Sequence, residues 1–236
     1  MQFVPDVYTR RARLAPLLLT ALPVGLATLA FFPQGFPNWG VVWGFVTWCG
    51  GIGLLAQLGR DAGKAQEAEL FAEWGGPPTT VMLRHRSAAN PIAVTHRHDV
   101  LSRLFPDLEI PSKDDELRAP ENADHVYEQC VRQLRNLTRD HSAFPLVFDE
   151  NCSYGFRRNL WGMKPFGLAL TILAILVTGV VGWRSAQLAA TSVIVSMALN
   201  LVLVCIWVLC VTRGWVRTAA DAYAERLLEA SDTLAG

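Results

Sequence analysis

Four long stretches of this 236-residue chain contain no aspartate, glutamate, lysine, arginine or histidine. These stretches are residues 14–32, 39–58, 165–183 and 188–212. Each is long enough to cross a hydrocarbon core of about 30 Å, which takes roughly 20 helical residues. Proton relays inside membranes need ionisable groups within the spans, so their absence argues against a proton-coupled transporter or an intramembrane protease.

The sequence also lacks the short motifs that mark common enzymes. It contains no Walker A loop, no His-Glu-x-x-His and no Gly-x-Ser-x-Gly, so we predict no enzymatic activity and no cofactor. The five cysteines follow no zinc-site spacing. We therefore predict no metal site, and a reducing compartment argues against disulfides.

Positive charge is distributed unevenly along the chain, although the formal net charge is +0. Of the 21 lysines and arginines, only Arg184 lies in the short connections 33–38 and 184–187. The positive-inside rule therefore predicts that both termini and the long segment 59–164 are cytoplasmic. The first apolar stretch is longer than a signal-peptide core and no small-residue cleavage site follows it, so we predict an uncleaved first span.

These features predict a mainly α membrane protein. We expect a four-helix transmembrane scaffold with a small α+β cytoplasmic domain inserted between spans 2 and 3. The predicted divisions are 1–58 for the N-terminus and spans 1 and 2, 59–164 for the insert, 165–212 for spans 3 and 4, and 213–236 for a cytoplasmic C-terminal helix.

Inside the insert, composition and pattern predict three helices and two extended segments. The predicted helices cover residues 61–73, 98–105 and 124–139, the first of which is rich in helix formers. The sequence Thr-Thr-Val-Met-Leu at 79–83 is a short strand candidate, and residues 144–148 are predicted to be extended.

The fourth apolar stretch carries a polar stripe. Ser192, Ser196 and Asn200 follow each other at i, i+4 and i+8 and so share one helix face. Such side chains either bond to a neighbouring helix or their own backbone, or line a water-filled path in an oligomer. Both interpretations stay open, and the three residues are candidate pore positions.

Arginines and histidines cluster in the insert and just before the third span. The candidate ligand-binding residues are Arg84, His85, Arg86, Asn90, His96, Arg97, His98, Arg132, Arg135, Arg139, Arg157 and Arg158. The planar fork of arginine suits phosphate oxygens, and histidine and amide groups can contact bases. One interpretation is a phosphate-binding pocket, which requires the acidic segment 107–116 to lie elsewhere.

The alternative interpretation is a solvated surface with scattered ion pairs. The insert has 14 basic and 16 acidic residues, so it is not a general nucleic-acid binder. The histidines are then surface or core side chains, or, with weaker support from their spacing, metal ligands. Arg157 and Arg158 would then lie near lipid headgroups.

Three segments carry a resemblance to a known family. They are residues 6–13 (DVYTRRAR), residues 74–80 (WGGPPTT) with the Arg84-His85-Arg86 triplet, and residues 154–159 (YGFRRN). Together with the whole-chain architecture, they resemble the four-span membrane effectors of Hailong-type anti-phage systems, which pair such an effector with a nucleotidyltransferase.

This resemblance implies a channel-like homo-oligomer, a tetramer, in a bacterial inner (plasma) membrane. It also implies that the insert binds DNA. The partner nucleotidyltransferase would make short DNA homopolymers that hold the channel shut. Loss of that DNA during infection would open the channel and depolarise the cell.

Two other functions stay open. Related effectors are opened by cyclic nucleotides, which the same arginines would suit. A structural or assembly membrane protein whose insert binds another protein belongs to a different class. The acidic segment 107–116 favours that class, and the arginine clusters favour a nucleic acid or nucleotide.

Overall fold

The computed structural model describes residues 6–32 and 51–236, and at residues 51–53 and 55 it describes the backbone alone. A π-helical segment, Thr9–Leu14, leads into the first α-helix. The α-helices are α1 (Ala15–Phe31), α2 (Gly51–Trp74), α3 (Pro78–Val81), α4 (Pro91–Leu104), α5 (Lys113–Arg118), α6 (Pro120–Leu137), α7 (Pro145–Arg184), α8 (Thr191–Cys205) and α9 (Arg213–Ala235). A second π-helical segment, Ile206–Cys210, follows α8.

The chain forms two compact units. The first, called the membrane unit, comprises Met1–Glu67 and Gly155–Val216. The second, called the polar unit, comprises Ala68–Tyr154 and Arg217–Gly236. The polar unit therefore combines most of the predicted insert with most of the C-terminal helix.

Three helical stretches in the described residues are long and apolar enough to cross a membrane. They are Thr9–Phe31, Pro145–Arg184 and Thr191–Cys210. Many of their large apolar side chains are exposed, including Leu18 and Leu209. Such surfaces fit a membrane protein, because lipid rather than water can cover them.

Glycines allow close helix packing within the membrane unit. A Cβ atom added at Gly162 on α7 would lie 2.5 Å from the backbone of Gly63 on α2. A Cβ atom at Gly167 would overlap the Trp207 ring. Small residues at helix contacts are the usual means of close approach in membranes, where the hydrophobic effect does not drive helix association.

The core of the polar unit combines the turn after α3 with side chains of α4, α6 and α9. Leu83, Leu101, Tyr127, Leu134 and Leu227 are all fully buried in it. Burying a leucine side chain contributes about 1.5–3 kcal/mol, so these contacts hold the helices together.

The predicted α+β insert is wrong, because the polar unit contains helices and no strand. The strand candidate 79–83 coincides with the helical turn α3 and the turn that follows it. Pro78 occupies the first turn of α3, where a fixed φ and a missing N–H favour a helix start. Residues 145–148 of the segment 144–148, predicted to be extended, form the first turn of α7, which begins at Pro145.

The prediction of four transmembrane helices is also corrected. The part of the chain that the structure describes contains three candidate spans. Residues 39–50 of the predicted second span lie outside the described residues. The remainder, 51–58, begins α2, which continues through charged residues to Trp74 and is not among the three.

Candidate anion-binding surface

A buried carboxylate, that of Glu116, organises the first arginine cluster. The residue is 0% exposed, and its side chain accepts hydrogen bonds from the backbone N–H groups of His85 at 2.8 Å and Arg86 at 3.0 Å. The Tyr127 hydroxyl donates at 2.8 Å and the Arg86 guanidinium at 2.9 Å. Burial raises the pKa of Glu116, but the four hydrogen-bond donors together lower it by more than burial raises it. The pKa of Glu116 therefore lies below its usual value.

Asp124 on α6 binds two arginines at once. Arg84 approaches with Nε at 2.8 Å and Nη2 at 2.7 Å, and its Nη1 donates to the Gly75 carbonyl at 2.7 Å. Arg86 donates through Nη2 to both oxygens of Asp124, at 2.9 and 2.7 Å. Paired bonds of this kind are strong, because both groups are charged and their geometries match. The guanidinium groups of Arg84 and Arg86 are therefore engaged inside the protein.

The histidines near this cluster occupy different environments. His98 is buried, with Nε2 2.7 Å from the Leu83 carbonyl, and its ring lies edge-on to His85 at 4.5 Å. Burial lowers the pKa of His98, so the ring is neutral near pH 7 and Nε2 donates the hydrogen bond. His96 is exposed and lies 2.8 Å from a carboxylate oxygen of Asp232.

Two further predicted residues contact the backbone. Asn90 caps α4, because its side-chain oxygen accepts from the N–H groups of Ile92 and Ala93. Arg97 donates to the Met82 carbonyl at 3.2 Å. In the described residues no group of three or more histidine, cysteine, aspartate or glutamate side chains is placed to hold a metal ion.

The second arginine set has a different setting. Arg132, Arg135 and Arg139 are exposed on and just after the C-terminal half of α6. The opposite face of this helix contributes Cys130 and Leu134 to the core. No ion pair joins any of the three arginines to a carboxylate within the described ranges 6–32 and 51–236. Their guanidinium groups are available to an external anion.

Arg157 and Arg158 lie in the membrane unit and are both engaged. Arg158 forms an ion pair with Glu67 at 3.0 Å. Arg157 donates to the Trp215 carbonyl at 3.0 Å, and its guanidinium carbon lies 4.9 Å from the centre of the Trp215 ring.

Two of the three candidate pore residues form hydrogen bonds to α1. Ser192 donates to the Ala30 carbonyl at 2.7 Å, and Ser196 donates to the Leu26 carbonyl at 2.9 Å. Asn200 is fully buried and donates to the Ser196 carbonyl at 2.9 Å, while its Oδ1 atom has no hydrogen-bond partner among the described residues. Within one chain the two serines thus make helix-to-helix bonds, and their pore role stays a prediction.

Sequence reasoning missed Glu116 and Asp124, the two carboxylates that hold Arg84 and Arg86. The phosphate-pocket interpretation required the acidic segment 107–116 to lie elsewhere, but Glu116 lies at the centre of the cluster. The excess of acidic over basic residues in the insert was the available signal that arginines could find internal partners.

No protein-family model matches this chain, and neither does any curated protein or solved structure.

Proposed function

We propose that this chain is a ligand-gated, channel-like membrane effector of bacterial anti-phage defence. In this proposal a short DNA or a nucleotide binds the polar unit, and a homo-oligomeric pore depolarises the inner membrane when the ligand is lost. The defence setting, the tetrameric state and the partner nucleotidyltransferase follow from the resemblance to Hailong-type effectors.

The membrane arrangement supports a cytoplasmic polar unit. Residues 68–154 and 217–236 belong to one compact unit, although two candidate spans, within Pro145–Arg184 and Thr191–Cys210, separate them in sequence. An even number of crossings returns the chain to the same side. The positive-inside rule assigns that side to the cytoplasm, where DNA and nucleotides are found.

The observation that carries the ligand proposal is the exposed stripe of Arg132, Arg135 and Arg139. These residues present three guanidinium groups on the C-terminal half of α6 and just after it, without carboxylate partners in the described part of the chain. Arginine groups spaced along a helix suit successive phosphates of a polyanion. In this proposal Arg84 and Arg86 stabilise the fold through Glu116 and Asp124, and they are not the main contacts to the ligand.

The test measures ligand binding by the full-length protein in detergent, after removal of copurified nucleic acid. Short single-stranded DNA and cyclic nucleotides are titrated separately over a range of salt concentrations. Replacing Arg132, Arg135 and Arg139 with glutamine should weaken binding. It should also reduce the slope of the logarithm of the binding constant against the logarithm of the salt concentration by about 2, because each lost phosphate contact contributes about 0.7 to that slope.

The matched control replaces Arg118, Arg217 and Arg226 with glutamine. These arginines are also exposed, but each pairs with a carboxylate on its own helix. The control removes the same net charge and should retain the binding and salt dependence of the natural sequence. Equal losses in both triple variants, or no binding by the natural sequence at low salt, would overturn the ligand proposal.

A further inference from the structure

A cluster of cations and indole rings surrounds the point where the last span ends. The π-helical segment Ile206–Cys210 stops at Val211, whose backbone leaves the helical region, and α9 begins at Arg213. Lys164 reaches this break from α7 and donates from Nζ to the Val211 carbonyl at 2.7 Å. The lysine is therefore held in place by a backbone group rather than by a carboxylate.

The aromatic rings keep the positive charges close together. The guanidinium carbon of Arg157 lies 4.9 Å from the Trp215 ring centre, and Lys164 Nζ lies 5.1 Å from that of Trp161. Arg213 approaches the same Trp161 ring at 5.9 Å. Ring faces attract cations, so the two indoles offset part of the repulsion among the three charges.

Two of these cations keep unused hydrogen-bond donors. In the described part of the chain, neither Arg157 nor Lys164 forms an ion pair with a carboxylate, and each donates one hydrogen bond to a backbone carbonyl. An arginine has five N–H donors and a lysine has three. The remaining donors can reach a phosphate group, because both side chains are only half-buried.

The cluster lies at a polar–apolar boundary in the sequence of two candidate spans. Lys164 immediately precedes the apolar stretch 165–183, and Arg213 immediately follows the stretch 188–212. Lipid phosphates lie at that depth, and tryptophan side chains favour it. A negatively charged headgroup at this place would meet two positive charges, Arg157 and Lys164, that have no carboxylate partner among the described residues.

We propose that Arg157 and Lys164, backed by Trp161 and Trp215, form a binding site for the phosphate headgroup of an anionic phospholipid. The site lies in the membrane unit and is independent of the DNA or nucleotide ligand proposed for the polar unit. General attraction between basic residues and an anionic membrane depends on charge alone. A defined site also depends on which residues carry the charge.

The experiment counts lipids that stay bound to the delipidated full-length protein in native mass spectrometry. Phosphatidylglycerol and phosphatidylcholine are added in separate titrations. The natural sequence should retain phosphatidylglycerol about tenfold more tightly, because the positively charged choline group of phosphatidylcholine is repelled by the two cations that bind the phosphate. Equal retention of the two lipids would overturn the proposal. This comparison uses only the natural sequence, so it does not depend on whether a variant folds.

A pair of charge-matched variants separates a site from general attraction. Arg157→Gln with Lys164→Gln should weaken phosphatidylglycerol binding about tenfold. Arg10→Gln with Arg60→Gln removes the same charge from an exposed and a half-buried position of the membrane unit outside the cluster, and should change binding by less than about twofold. Similar losses in both double variants would contradict a defined site.

Free inorganic phosphate is the alternative ligand for this site. Inorganic phosphate added at constant ionic strength should leave the bound phosphatidylglycerol in place, because the lipid also buries its chains against the apolar helices. Displacement by inorganic phosphate, with no effect from matched chloride, would show a soluble-phosphate site and overturn the lipid assignment.

Discussion

Replacing Gly162 by alanine should weaken the packing between α2 and α7, because the new methyl group would meet backbone atoms. A Cβ atom there would lie 2.5 Å from the carbonyl carbon of Ala62 and 2.5 Å from the amide nitrogen of Gly63. Neither atom belongs to a side chain that can rotate away, so the two helices must separate. Overpacking of this kind costs about 1–3 kcal/mol.

Alanine also has a favourable effect that must be separated from the clash. In a helix interior it is preferred over glycine by about 1 kcal/mol. Gly179→Ala is the matched control, because Gly179 lies on the same helix and has no neighbouring atom within 4 Å of its Cβ position. The difference in free energy of unfolding between the two variants therefore reports the clash, and we expect about 1–3 kcal/mol.

The measurement is thermal unfolding of both variants in the same detergent, followed by far-ultraviolet circular dichroism. A sizing column run before heating verifies that both start from the same oligomer. Gly162→Ala should unfold at a lower temperature than Gly179→Ala. Equal unfolding temperatures would refute the close crossing of α2 and α7 at this glycine.

Three other predictions concern single side chains. Glu116→Gln should lower the free energy of unfolding by about 3 kcal/mol, because it removes a buried charged partner of Arg86. Chemical denaturation measures this effect, with a glutamine substitution at the exposed Glu128 as the control. Equal effects of the two substitutions would contradict the role of Glu116. The pKa of His98 lies below 6.5, so the unfolded state binds its proton first as the pH falls. Stability should therefore decrease as the pH falls below 6.5, and less so in His98→Gln; identical pH profiles would argue against this. Ser196→Ala should cost about 0.6 kcal/mol through loss of a helix-to-helix bond, and an unchanged unfolding temperature would count against that bond.

Long apolar stretches could be recognised from the sequence because a membrane span depends on local composition. The stretches 14–32, 165–183 and 188–212 all lie in or overlap helices that are long and apolar enough to cross a membrane. The membrane class follows from them without knowledge of tertiary contacts.

Both extended segments predicted in the insert are wrong, because the helix-start signals of proline outweigh the strand propensity of the residues that follow. Pro78 precedes the Thr-Thr-Val sequence, and Pro145 precedes the Leu-Val-Phe sequence. Both prolines stand at helix starts, as their fixed φ favours. Tertiary packing, rather than residue preference, then decides whether such short segments stay helical.

The partners of the arginines could not be read from local sequence. Arg86 pairs with Glu116 and Asp124, which are 30 and 38 residues away along the chain. Arg132 and its neighbours have equally basic sequence surroundings and yet remain exposed. Only the packing of α5 and α6 separates arginines that support the fold from those available to a ligand.

The most direct test of the central proposal is ion flux through ligand-free protein reconstituted in liposomes. Flux is measured with a potential-sensitive dye before and after addition of short single-stranded DNA. We predict flux in the absence of DNA, suppression by DNA for the natural sequence, and much weaker suppression when Arg132, Arg135 and Arg139 are replaced by glutamine. Absence of flux without ligand, or flux that DNA leaves unchanged in the natural sequence, would contradict a channel held shut by an anionic ligand.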